Sequence, residues 1–252
     1  MLSAQMQFYI SNLPIAPLRA TPQPQDGGPP NLIDVDNLPG IVITGSNLIQ
    51  FSDDASPTIK TSVALSLLAA QRVASEDTAT KTPQQWIDRH NTVLTNLDWL
   101  GGTPKLVSFE FKKIDEAVNE AIVPFLSEAF SGSSNGGNLI LNVLNQLKDD
   151  SKNSRWFSLF DRESQRFKVT EYQFSVVGMT GDQVNLKLAS TRFEASFGKT
   201  QVLFIRVTKQ HASFEGASQS LSAKAANVAD MRESLKVKLA GFARTFIHSI
   251  TI

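Results

Sequence analysis

The feature that most constrains this chain is a change in the spacing of its apolar residues near Arg155. Before that point they recur at three- and four-residue steps, the period of helices with one buried face. After it, stretches such as RFKVTEYQFSVV and QVNLKLASTRF alternate with period two, as half-buried strands do. Helices followed by a run of neighbouring strands give an α+β fold rather than alternating α/β units.

The helical half carries its own punctuation. Ser56-Pro57 provides a capping serine and a proline at the first helical position, where the missing N–H costs nothing. Ile59, Val63, Leu67, Ala70 and Ala74 then share a face, and Leu65 and Leu68 broaden it, so a largely buried helix is expected. Thr82-Pro83-Gln84-Gln85 reads as a capping box that opens a second helix. Its stripe is Trp86, His90, Val93, Leu97 and Leu100, and Gly101-Gly102 should end it. KLVSFEFKK (105–113) alternates as a strand. Asp115 can cap a further helix kinked by Pro124, and a shorter one is expected over Leu139–Leu147.

In the strand half, RWFSLF and RFKVTEYQFSVV suggest a hairpin, and TQVLFIRVT, apolar on both faces, suggests a central strand. HASFEGAS is expected at an edge. The strands form an antiparallel meander, covered by one long amphipathic helix over Ser222–His248 with Val228, Met231, Leu235, Leu239, Phe242 and Phe246 inward. Glu171 alternates against Tyr172 and Phe174, so solvent is its expected side.

Seven of the 11 prolines fall between Pro14 and Pro39. Proline lacks the amide donor and fixes φ, so residues 1–55 read as an extended proline-rich arm with short strands at Met6–Ile10, Gly40–Thr44 and Asn47–Phe51. Residues 56–252 read as one α+β domain, helical over 56–150, with sheet and C-terminal helix over 151–252.

Several chemistries are disfavoured. The 24 basic residues balance the 24 acidic ones with no block of one sign, which removes the electrostatic drive toward nucleic acid. The absence of cysteine removes disulfides, thiolate metal sites and cysteine nucleophiles. Gly132-Ser133-Ser134-Asn135-Gly136 spells G-x-S-x-G, but a nucleophile elbow needs a strand before its serine, and a helix is expected there. Ser134 therefore reads as part of a connector, with His211 and His248 as chance companions. Phe197-Gly198-Lys199-Thr200 ends like a phosphate loop, yet Phe193 stands where its first glycine belongs. His90, His211 and His248 lack ligand spacing, and Asp34 and Asp36 belong to a solvated loop rather than a calcium site.

The functional expectation is a non-catalytic, soluble interaction protein of effector or toxin type. A protein partner or a second copy would engage the N-terminal arm, with no cofactor, metal or nucleic acid. No signal-peptide pattern or bilayer-length apolar run is visible, so cytoplasmic residence or unconventional export is expected. The alternative is a lipid-like ligand or membrane surface held between sheet and C-terminal helix. Its candidate contacts are Trp156, Tyr172, Phe174, Phe204, Phe242 and Phe246. A hydrolase using Ser134 or paired carboxylates ranks last.

Overall fold

Ser3 accepts a hydrogen bond from the Met6 amide at 3.1 Å and so starts a helix, α1 (Ala4–Ser11), where a short strand was expected from residue type. Met6 and Ile10, four residues apart and so on one face of the helix, both enter the core. The computed structural model describes residues 2–15, 33–76, 82–110, 116–133, 137–150, 160, 163–166, 169–194, 206–207 and 213–250. Most of the proline-rich stretch, 16–32, lies outside them.

The short strands expected around residue 45 form a tight hairpin, β1 (Ile41–Thr44) and β2 (Asn47–Phe51), turned by Gly45 at a φ of +57°. They belong to the interior of the sheet rather than to an arm. Helix α2 (Pro57–Ser75) starts as expected on the Ser56 cap, and α3 (Pro83–Asn96) on a complete Thr82/Gln85 capping box. Helix α3 stops short of the predicted Gly101. Asp98 takes a φ of +62° and reverses the chain, and Leu100 joins strand β3 (Leu100–Gly101) with its side chain outside.

Strands β4 (Val107–Glu110) and β5 (Glu116–Ala117) precede α4 (Val118–Ala129), which carries Pro124 in its interior, and α5 (Asn138–Asp150). A two-residue strand β6 (Gln165–Arg166) leads into the 12-residue strands β7 (Val169–Thr180) and β8 (Gln183–Glu194). Phe160, expected in a strand, is helical, and residues 155–159 lie outside the described residues. Of TQVLFIRVT only β9 (Arg206–Val207) is described. It pairs with β5 in a separate two-stranded sheet rather than at the centre.

The segment expected at an edge is instead a 12-residue interior strand, β10 (Ser213–Lys224), with β8 on one side and β3 and β4 on the other. Its ladder to β8 continues through Lys224, and the Ala225 amide then bonds to the Asp182 carbonyl. The C-terminal helix therefore cannot start at Ser222. It is also divided at Met231 into α6 (Ala225–Asp230) and α7 (Arg232–Phe246), and Ile247–Ser249 leave it as β11 to pair with β1.

The main sheet runs β11-β1-β2-β7-β8-β10-β3, with β4 also on β10 and β6 on β7. It is mixed rather than a pure antiparallel meander, because β2 lies parallel to β7. Helices cover both faces. On the front, Val177, Val184, Leu186, Leu188 and Leu221 join one core with α1, α2, α3, α6 and α7. On the back, Tyr172, Phe174, Phe193 and Phe214 pack with α4 and α5. Helix α2 takes the roofing place expected of the C-terminal helix: Leu65, Leu67, Leu68, Ala69 and Ala70 are all fully buried. Helix α7 packs chiefly on α2 and α1 rather than on the sheet.

Both flanks of the proline-rich stretch are fastened to α7. The Lys238 ammonium donates to the Ser11 carbonyl at 2.9 Å, and Lys236 donates to both Asp36 carboxylate oxygens at 2.8 and 2.7 Å. The Lys236 hydrogen bond holds the Asp36 carboxyl below its ordinary pKa against an opposing effect of burial, aided by the charges of Lys236 and Arg232. A lowered folded-state pKa stabilises above the unfolded value and is lost as pH falls through the carboxylate range. Asp36→Asn should therefore melt below the wild type at pH 6, and the gap should close below about pH 3. Thermal melts across that range read it, and a gap that persists in acid would refute the ion-pair role.

Candidate functional site

The register across β7, β8 and β10 sets front-face residues in rows. Toward the Gly181 turn the rows are apolar: Met179–Val184–Ala223 and Val177–Leu186–Leu221. Toward the other end they become polar: Ser175–Leu188–Gln219, then Gln173–Ser190–Ala217, then Glu171–Arg192–Glu215. Asn47 of β2 extends the second of these and donates to the Ser175 hydroxyl at 2.9 Å. This polar end is the candidate site.

Gln71 reaches it from α2. Its Nε2 donates to the Thr44 carbonyl and to Gln173 Oε1, each at 3.1 Å, and its Oε1 accepts from the Ser46 amide at 3.1 Å. Gln173 Nε2 donates in turn to Ser190 Oγ at 3.4 Å. The chain of amides thus ties helix, hairpin turn and sheet together at 0–6% exposure. A small cleft, partly open to solvent, lies at its far end, lined by Trp86, Ile87, His90, Pro104, Gln173, Leu188, Ser190, Ala217 and Gln219. Its interior has room for about one water molecule. His90 stacks on Trp86 with ring centroids 5.2 Å apart, and Trp86 Nε1 donates to Ser75 Oγ at 3.1 Å.

Glu171 corrects the solvent-facing expectation. It is only 5% exposed, directly across from Arg192, which also pairs with Glu215. Alternation identified its face correctly, but that face is covered as well. Arg72 makes a second such link, to Glu163 at 2.8 Å and over the Phe246 ring at 3.8 Å. The arrangement is suited to locking helices onto the sheet.

The predicted aromatic contacts do not converge. Tyr172 and Phe174 lie in the back core with Phe160. Phe246, with Phe242 stacked on it at 6.0 Å, belongs to the front core. The sheet separates the two pairs, and Trp156 and Phe204 lie outside the described residues. Ser134 and His211 also lie outside them, as does the 197–200 motif. The segment preceding the G-x-S-x-G spelling is helical, ending at the Phe130 cap, and His248 Nε2 stands 2.8 Å from the Thr245 carbonyl. Among the described residues no group of three or more His, Asp or Glu could hold a metal, and no helix is long and apolar enough to cross a membrane.

Sequence reading missed Gln71, Gln173 and Ser190 as one network. The available signal was Gln71 itself, a polar residue within the apolar segment Val63–Ala74.

No protein-family model matches the chain, and no curated protein matches it. Among solved structures, that of the Evf virulence factor aligns over 85% of this chain and 84% of its own, at 12% identity and a TM-score of 0.31. A delta-endotoxin aligns over 83% and 90%, at 13% identity and a TM-score of 0.36. At such values these likenesses carry no argument about function, which rests on the chain's own residues.

Proposed function

We propose that this chain is a non-catalytic interaction protein of effector type that takes an extended segment of a partner protein along the β3/β4 edge of its sheet. The observation that carries this reading is the exposure of Leu100 (68%) and Val107 (55%) on the outermost strands. Among the described residues nothing pairs with the outer side of either strand. An open edge offers backbone donors and acceptors to an incoming strand, and exposed apolar residues beside it give that strand side-chain contacts.

Val107 stands opposite Gly216 and Leu100 opposite Ser222, so both point to the back face. The two positions lie six residues apart along β10, about 20 Å, with exposed Ser218 and Ser220 between. A partner segment with apolar residues at that spacing would cover both. A chain without cysteine also keeps its covalent structure in oxidising and reducing compartments alike, which suits an effector. The proline-rich stretch, fastened at both flanks, is the second contact assigned to this partner.

A photo-crosslinking amino acid placed at Leu100 and, separately, at Val107 should trap the same protein in cells, while one at the exposed Asp182 should not. Two unrelated adducts, or none at either position, would end this reading. Replacing residues 16–32 by a glycine/serine linker of equal length should weaken the capture without lowering the melting temperature.

A further inference from the structure

We propose that two copies of this chain associate through the outer face of α7, packed antiparallel about a two-fold axis. Leu235, Leu239, Ala243 and Phe246 turn this helix toward the core. Glu233, Val237, Ala240 and Arg244 follow at steps of four, three and four residues, form a single stripe, and are all exposed. Val237, at 81%, is the most exposed large hydrophobic residue described.

The stripe is complementary to itself. The two-fold axis that sets Glu233 against Arg244 of the second copy also sets Val237 against Ala240 of that copy. One rotation thus satisfies two charge pairs and two apolar contacts, as an isologous interface requires. The spacing is that of antiparallel helices packed at a shallow crossing angle.

The charges are available for it. Arg244 has no ion-pair or hydrogen-bond partner among the described residues, and of the two Glu233 carboxylate oxygens Arg232 engages Oε1. Gly241 borders the stripe inside the helix, where glycine is disfavoured relative to alanine. Its missing side chain permits the close approach of a second backbone. The face is one helix wide, so the interface belongs to the small class and the dimer is weak. It is separate from the β3/β4 edge, and neither assignment depends on the other.

Sedimentation equilibrium of the full chain over about 10 µM to 1 mM should show a reversible dimer with a dissociation constant inside that range. Glu233→Arg or Arg244→Glu alone turns two attractive pairs into two repulsive ones and should weaken the dimer about tenfold. The double reversal should restore it to within about threefold. Circular dichroism confirms that each variant keeps its helix content. Because the chain has no cysteine, Val237→Cys mixed with Ala240→Cys should form a disulfide-linked dimer faster than either variant alone. A monomer at every concentration, a dimer indifferent to single reversal, or a double reversal that fails to rescue would each overturn the proposal.

Discussion

Gln71→Leu should lower stability by about 3–5 kcal/mol, since each polar group stripped of its partner in a dry site costs roughly 1–3. Leucine fills nearly the same volume, so the loss reports hydrogen bonding rather than a cavity. The Thr44 carbonyl, the Gln173 amide oxygen and the Ser46 amide each lose a partner at a fully buried position. At about 2–4 °C per kcal/mol for a chain of this size, the melting temperature should fall by roughly 10–15 °C. Ser66→Ala is the control. Ser66 Oγ bonds only to the Ser62 carbonyl of its own helix, 2.8 Å away, so its removal should cost less than about 1 kcal/mol. Equal melting temperatures for the two variants would show that the amide chain holds nothing together. Gln71→Leu with Gln173→Leu should cost less than the sum of the singles, because both ends of one bond are removed together.

Gly137→Ala should cost about 2–4 kcal/mol, from a left-handed backbone and a blocked contact acting together. Gly137 sits at a φ of +69°, and a Cβ there would lie 2.5 Å from the Phe130 ring. That ring is fully buried in the back core and cannot swing outward. Gly132, at the other end of the same connection, has a φ of +72° but open space, its nearest neighbour being Lys187 Nζ at 4.0 Å. Gly132→Ala should therefore incur only backbone strain, about 1–2 kcal/mol. Chemical denaturation of the two variants separates packing from strain. Indistinguishable midpoints would remove the packing role assigned to Gly137. The glycine-rich connection would then be held in place by its backbone alone.

Much of the local structure was legible. Ser56-Pro57 and Thr82-Pro83-Gln84-Gln85 start helices at the expected residues, because a cap needs only side chains and amides two or three positions apart. The short strands over 41–44 and 47–51, expected from their β-branched and aromatic residues, form, though within the sheet rather than an arm, and the period-two strands β7 and β8 form where alternation put them. Errors begin where local preference is weak. The segment AQMQFYIS is too short for periodicity to separate helix from strand, and Ser3 together with the core decides it. Over Ser222–Lys224, residues acceptable to a helix continue a strand because β8 presents a matching ladder.

The candidate site was legible only in fragments. Glu171, Gln173 and Ser175 alternate with Tyr172, Phe174 and Val176, the usual pattern of a strand wet on one side. The alternation is real, but α2 and α3 lie over the polar end as well. Burial there is made tolerable by amide hydrogen bonds. Likewise Phe242 and Phe246 share the aromatic character of Tyr172 and Phe174 while lying across the sheet from them.

By itself the sequence determined the α+β class, the starts of α2 and α3 and the faces of the long strands, all consequences of interactions within about four residues. The tertiary structure alone decided that β2 lies parallel to β7, that α2 rather than the last helix roofs the sheet, and that Gln71 meets Gln173 across 102 positions. Such outcomes depend on which surfaces meet once the chain closes on itself, and residue spacing along the chain carries no record of that meeting.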